Sequence, residues 1–325
     1  MTPETHVPHV VVVGHGYADY ATEEAILRPY GVGRIAHVAA DDPALTDHLR
    51  RAVAILVRET PITRGHIEAA PALRVVVRYG IGVDNIDLEA ARERRVYVAN
   101  VPEYGIEDVS DHALALYLAL QRRIVTRDRG VRSGAWNVGQ AEPMRRSAAL
   151  RFGLVGYGRI ARAFHRKITA LGARDVLVHD PALDRAPTGT RLVGLDTLAA
   201  EADVVSLHAP LTDATRGMID AAFFGRMRRG SILINTARGG LIDEAALLAA
   251  LRSGSVRAGL DVYAVEPPRA GHPLFERDDV VLSDHTGWYS ETSVDELQSG
   301  AANEVARVLS GRPPDSWLNP WGVVA

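Results

Sequence analysis

RFGLVGYGRIARAFHRK, residues 151–167, passes from an apolar run through Gly156-Tyr157-Gly158-Arg159-Ile160-Ala161 into a helical pattern. A strand that turns through G-x-G-x-x-[G/A] into a helix is a phosphate-binding corner of a parallel α/β sheet. The first glycine makes the tight turn, the second lets a pyrophosphate approach the backbone, and the small third residue lets helix pack on strand. The helix N-terminus then faces the phosphates. The next apolar run, DVLVHD, ends in Asp180. A carboxylate there accepts hydrogen bonds from the adenosine ribose hydroxyls and repels a 2′-phosphate, which favours NAD over NADP.

A second stretch imitates the first. VVVVGHGYADY, residues 10–20, also runs from apolar residues into two glycines. Here Asp19 stands where the small packing residue should be, and an acid is unwelcome beside a pyrophosphate. This loop is expected to be a structural turn, and the cofactor is expected in the second half.

The chain has 325 residues, of which 47% are hydrophobic and 24% charged, enough for two domains with full cores and too apolar for disorder. A formal net charge of -3 offers no basic field for nucleic acid. No apolar run approaches the ~18 residues that span a bilayer. The start MTPETHVPHV lacks the basic and apolar regions of a signal peptide, so a cytoplasmic protein without membrane contact is expected. With no cysteine, disulfides, thiolate metal sites and cysteine nucleophiles drop out. No metal is expected.

Short Val/Ile/Leu-rich runs alternate with helix-length segments: 9–13, 34–38, 54–57, 74–77, then 151–155, 175–179, 204–208, 231–235, 258–262 and 280–283. This rhythm means βαβ units and parallel sheets buried on both faces. So many strands imply two doubly wound, Rossmann-like or flavodoxin-like parallel-sheet domains with a cleft between them. Residues 110–127, SDHALALYLALQRRIVTR, are apolar on most helical faces and read as a connector. Val294, Leu297, Ala301, Val305 and Leu309 recur at helical spacing and can carry the chain back. The expected division is a discontinuous substrate domain, 1–121 with 290–325, and a nucleotide domain, 122–289.

Polar groups fall in three segments where strands end, the place ligands bind in open α/β sheets: Arg238 in LINTARGGLIDE, Asp261 and Glu266 in AGLDVYAVEPP, and His285 in VVLSDHTGWYSE. Taken singly, each has a structural reading: a surface ion pair, a loop acid before proline, a packed histidine. Together they supply a carboxylate anchor, a proton donor and an acid to orient it, the set a hydride-transfer enzyme needs.

The order GYGRIA, HDP (179–181), NTARGGLIDE (235–244), D-V-x-x-x-E-P (261–267) and a late histidine resembles the D-isomer-specific 2-hydroxyacid dehydrogenase family over essentially the whole chain. VRYGIGVDNID (77–87), HTGWYSE (285–291) and SGRPPDSWLNP (310–320) look most like its C-terminal-binding protein (CtBP) dehydrogenase branch. The resemblance implies an NAD-dependent oxidoreductase acting on the CH–OH group of a small 2-hydroxy acid, or reducing the 2-keto acid. It implies a homodimer through the NAD-binding domain and a site assembled by closure of the two domains. Within the family the alternatives are a 3-phosphoglycerate dehydrogenase or a specialised-pathway oxidoreductase. From another class comes an NAD(H)-sensing interaction protein of the CtBP kind.

Carried over motif by motif, the resemblance implies His285 as general acid/base, Glu266 holding its imidazole, and Arg238 binding the substrate carboxylate. Arg78, Tyr79, Gly80 and Ile81 look like the family's carboxylate-binding loop. Trp288 stands either in the substrate side-chain pocket or as a packed interdomain aromatic. Gly156, Gly158, Arg159, Ile160 and Asp180 would hold the pyrophosphate and ribose, the loop His208-Ala209-Pro210 with Thr236 and Ala237 would cover the cofactor, and Asp261 would hold the nicotinamide amide. Apart from Arg78, no further cation for a phosphorylated substrate can be placed from sequence. Asp284 departs from the family's usual proline, Thr286-Gly287 from the branch's Ala-Ala, and Val109 from its threonine.

Overall fold

The computed structural model describes residues 7–136 and 144–321; residues 1–6 of the segment read above for a leader lie outside them. The chain forms two units, dividing at Gly105/Ile106 and again at Tyr289/Ser290.

The first unit contains β1 (His9–Val13), α1 (Ala21–Leu27), β2 (Ala36–Val38), α2 (Leu45–Arg51), β3 (Ala52–Val57), α3 (Arg64–Glu68), β4 (Val75–Arg78), α4 (Leu88–Glu93) and β5 (Tyr97–Ala99). Its strands are all parallel, in the order β2-β1-β3-β4-β5. This is the flavodoxin-like winding. Strands such as AVAILV at 52–57 are apolar almost without interruption because helices cover both faces.

The second unit opens with α5 (Ile106–Gln121) and α6 (Ile124–Arg132). It continues through β6 (Arg151–Val155), α7 (Arg159–Ala170), β7 (Asp175–His179), β8 (Arg191–Leu192), α8 (Leu195–Glu201) and β9 (Val204–Leu207). Then follow α9 (Ala221–Arg226), β10 (Ser231–Asn235), α10 (Glu244–Arg252), β11 (Val256–Leu260) and β12 (Val280–Leu282). The parallel order β12-β11-β10-β9-β6-β7-β8 places the reversal of direction between β6 and β9. Ligands bind at such a switch point, outside the carboxyl ends of the strands. The chain then re-enters the first unit as α11 (Glu291–Leu309), which begins at Ser290 in a reciprocal capping box with Ser293 and packs on α1.

Helix α5 corrects the expected boundary at 121. Ala113, Leu116, Tyr117 and Leu120 join the core of β6, β9 and β10, so the helix belongs wholly to the second unit. It packs on the sheet at Gly259, where an added Cβ would lie 2.9 Å from Ile234 Cδ1 and 3.0 Å from Leu116 Cβ. β5 and β8, three and two residues long, were not anticipated.

Gly259→Val is expected to destabilise the protein by about 1–3 kcal/mol through overpacking between β11 and α5, read as a lower midpoint of chemical denaturation.

Candidate active site

The glycine corner of the second unit has the geometry its sequence demands. Gly156 sits at φ +85, and a Cβ there would press on the backbone of His208 and on Ala209 N at 2.8 Å. Only glycine tolerates both conditions. Gly158, the residue preceding α7, faces open space, with nothing within 4 Å of an added Cβ. Arg159 and Ile160 form the first turn of α7, and Ala161 is fully buried against the sheet.

Asp180, just past β7, closes the corner. Its carboxylate accepts hydrogen bonds from Tyr157 N at 2.8 Å and Ala182 N at 2.9 Å, tying the loop after β7 to the glycine turn. A carboxylate has about four acceptor sites, so two backbone donors leave capacity for ribose hydroxyls. A surface cleft lined by Tyr157, Arg162, Leu183, Arg185 and Thr188 opens beside it.

Two more sequence candidates show the mark of a polar ligand. His208 Nε2 and Thr236 Oγ1, just past the ends of β9 and β10, are buried with no protein partner among the described residues. Buried polar atoms without partners are rare enough to signal a ligand or water. Burial pushes the His208 imidazole down to about 4.

The glycine loop of the first unit differs in what fills it. Tyr20 and His37 occupy the space a Cβ on Gly16 would need, and Thr60 does the same at Gly14.

At the other end of the second sheet, His285 and Glu266 meet: Nδ1 lies 2.6 Å from Glu266 Oε2. Burial would raise the Glu266 carboxyl, but the His285 hydrogen bond and charge, the Tyr263 N–H and the nearby Arg238 guanidinium bring it below the usual range. Glu266 is itself aimed by Tyr263 N, which donates to Oε1 at 2.9 Å. The Tyr263 hydroxyl donates to Ser283 O at 2.8 Å, and burial pushes this phenol up to about 12. Sequence reasoning missed Tyr263, whose neighbour Asp261 drew attention as the motif residue. Gly239 permits the arrangement, because a Cβ there would collide with the backbone of Tyr263 and Ala264.

Asp261 is 2% exposed and braces the histidine loop. Oδ1 accepts from Ser283 Oγ at 2.7 Å and Thr286 N at 3.0 Å, Oδ2 from Gly287 N at 2.9 Å, and its carbonyl from His285 N at 2.8 Å. Asp284 is exposed and accepts from Thr286 Oγ1, turned into its own loop. Arg238 Nη1 donates to Ala237 O, and Asn235 pins that loop through Ala237 N and Arg238 O. Trp288 stacks edge-on against Tyr289. Among the described residues no cluster of His, Asp and Glu is arranged for a metal ion.

The remaining candidates, Arg78 to Ile81, lie in the first unit. Tyr79 points into that unit: it is 3% exposed, its hydroxyl donates to Glu23 Oε1 at 2.8 Å, and its N–H is spent on Val57 O. The N–H groups of Gly80 and Ile81 find no backbone acceptor among the described residues, and Gly80 has φ +143. Arg78 Nε donates to Arg58 O at 3.3 Å. Arg58, whose guanidinium lies over the Tyr17 ring and pairs with Glu59, is thus a second arginine beside this loop that the sequence left unplaced.

The family model for the D-isomer specific 2-hydroxyacid dehydrogenase NAD-binding domain matches residues 114–287. D-3-phosphoglycerate dehydrogenase of Mycobacterium leprae is 39% identical over 280 residues, 83% of this chain and 52% of that protein. The chain therefore spans about half the length of such relatives. Glycerate dehydrogenase of Methylorubrum extorquens is 33% identical over 83% of this chain and 86% of its own length. Among solved structures, the TT0316 protein of Thermus thermophilus has TM-score 0.85 at 35% identity, covering 95% of this chain and 99% of that one. D-lactate dehydrogenase of Aquifex aeolicus, complexed with NAD and lactic acid, has TM-score 0.84 at 25% identity, covering 93% and 96%.

Two outcomes follow from the titrating groups. The unfolded chain protonates His208 near 6.5, whereas the folded chain does so only near 4; stability should therefore fall as pH drops from 6.5 towards 4. His208→Asn should flatten that slope by on the order of 2 kcal/mol, read by urea denaturation across the window. The depressed Glu266 carboxyl contributes stability above its unfolded pKa that is lost as pH falls through its folded value, so Glu266→Gln and wild type should converge in stability at acid pH.

Proposed function

Because the chain belongs to the D-isomer-specific 2-hydroxyacid dehydrogenase family, we propose that it transfers a hydride between NAD(H) and the 2-carbon of a small 2-keto or 2-hydroxy acid. The observation that carries the reading is the His285–Glu266 pair, 2.6 Å apart at the carboxyl edge of a parallel sheet. Glu266 accepts at Nδ1, which leaves Nε2 to hold and move the substrate proton.

The residues present fit the dinucleotide. The open face at Gly158, the first turn of α7, the Asp180 carboxylate, and the unpartnered His208 Nε2 and Thr236 Oγ1 supply what its pyrophosphate and riboses require. When bound, the nicotinamide supplies the hydride for reduction or accepts it in oxidation. In the reducing direction His285 donates its Nε2 proton to the keto oxygen while C2 gains the hydride, giving the 2-hydroxy acid in one two-electron step. Glu266, held anionic, orients the ring and stabilises the imidazolium from which the proton leaves. Arg238 provides the planar fork for the substrate carboxylate and polarises the keto group. Asp261 holds the loop on which His285 sits, and one lone pair of Oδ2 is left for the nicotinamide amide.

The substrate side is proposed on the first unit's Arg78–Ile81 loop, through the N–H groups of Gly80 and Ile81 rather than the Tyr79 side chain. Relatives named for phosphoglycerate, glycerate and glyoxylate, together with Arg58 beside Arg78, put phosphorylated and unphosphorylated 2-keto acids in the same test. The CtBP-like branch and its nucleotide-sensing alternative rest on sequence motifs; the intact dyad favours turnover. Helix α6 buries none of its residues and exposes Ile124 and Val131, with Trp136 just beyond at 85% exposure. An apolar face of this kind suits a homodimer contact through the second unit. A cytoplasmic location is part of the same proposal.

NADH oxidation at 340 nm against glyoxylate, pyruvate, hydroxypyruvate and 3-phosphohydroxypyruvate tests the reading. His285→Ala should lower turnover by ~10²–10⁴-fold with NADH still bound, and turnover retained in that variant would remove His285 from the reaction. Asp180→Arg should shift preference towards NADPH; an unchanged ratio would refute the ribose assignment.

A further inference from the structure

His112, which neither the motifs nor the proposed reaction uses, sits in the first half of α5 with Nε2 2.7 Å from Ser283 Oγ and 3.4 Å from Asp261 Oδ1. Proton counting orients the chain of contacts. Burial would raise the Asp261 carboxyl, but bonds from His112, Ser283 and Gly287 bring it below the usual range, so it accepts only. The single Ser283 hydroxyl proton therefore goes to Asp261 at 2.7 Å, and Ser283 Oγ must accept from His112 Nε2–H. The His112 tautomer is thereby set.

The loop that this chain steadies is strained. His285 has φ +57, a left-handed conformation that is unfavourable for a non-glycine residue and persists only where its surroundings over-determine it. Ser283, Thr286 and Gly287 all hang on Asp261, and His112 donates into that set from a separate element. Gly287 is matched to it: an added Cβ would lie 3.2 Å from His112 Cδ2 and 2.8 Å from Asp261 Oδ2. The absence of a side chain at Gly287 thus makes room for the imidazole.

The same turns of α5 hold the C-terminal end of α7, the helix that follows the glycine turn. Lys167 on α7, the only lysine in the chain, reaches Glu107 Oε2 at 2.9 Å, Asp111 Oδ1 at 2.7 Å and Ser110 Oγ at 2.6 Å. One helical segment is therefore tied to the cofactor helix on one side and the histidine loop on the other.

We infer that His112 is a positioning residue for His285, acting through Ser283 and Asp261 to hold the loop that carries the proton donor. The inference rests on the reaction proposed above. The test measures kcat, KM, NADH affinity by fluorescence, and the His285 imidazole resonances by NMR in full-length protein, free and with NADH. His112→Phe should lower kcat on the order of 10–100-fold by misplacing the donor, shift the His285 resonances, and leave the NADH Kd within about twofold. Ser283→Ala, which removes the bridging oxygen without adding bulk, should show the same signature if the phenylalanine variant folds poorly. His112→Gln, which keeps an N–H donor, should restore near-wild-type values. Wild-type kcat and His285 resonances in both His112→Phe and Ser283→Ala would overturn the inference, as would a His112→Gln variant as impaired as His112→Phe. Should His285→Ala retain turnover while His112→Phe still shifts the His285 resonances, the reaction assignment fails and the positioning role stands.

Discussion

A single buried carboxylate organises the chemistry-bearing end of the second unit. Asp261 leaves the last residue of β11 and gathers the hydroxyl of Ser283 and the N–H groups of Thr286 and Gly287, while its carbonyl takes the N–H of His285. Burying a charge is costly unless it is met by donors, so a loop that strayed from these positions would leave the anion unmet. That penalty holds His285 in its left-handed backbone conformation. Tyr263 repeats the principle one turn away, with its amide on Glu266 and its hydroxyl on Ser283 O. Donor and acceptor of the His285–Glu266 bond are thus both anchored to the same strand end.

The two glycine loops show why a short motif needs its surroundings. Each follows the first strand of its parallel sheet, and each opens with a positive-φ glycine, Gly14 or Gly156. They diverge at the second glycine. Nothing lies within 4 Å of a Cβ on Gly158, whereas Tyr20 and His37 fill that space at Gly16. A pyrophosphate requires both exposed backbone donors and volume, and the space beside Gly158 is open where that beside Gly16 is filled. Asp19 hinted at this in the sequence, but the occlusion is made by residues whose approach no spacing rule supplies.

Most of the architecture was legible because parallel strands covered on both faces must be continuously apolar, and SILIN or AVAILV has no other economical environment. Helix α11 could be read to its ends from the spacing of Val294, Leu297, Ala301, Val305 and Leu309. β8 escaped because two residues carry no periodicity. α5 was read as apolar on most faces and as a connector, since hydrophobicity reports that a face is covered and not by what. Its true partner shows in Gly259, the one place on β11 where a missing side chain admits Leu116 and Leu120.

The sequence by itself determined two parallel α/β units and the strand–glycine–helix turn at 156–161, and it singled out Asp180, Arg238, Glu266 and His285 as candidates, because each depends on local pattern or on residue chemistry carried in motif order. Tertiary structure alone decided that Asp261 braces a loop, that Tyr79 turns inward to Glu23, that Arg58 lies beside Arg78, and that His112 reaches Ser283 from a helix far away in the chain. These are hydrogen bonds between segments distant in sequence. Their geometry follows from how strands and helices stack, and the order of residues along a chain holds no record of that distance.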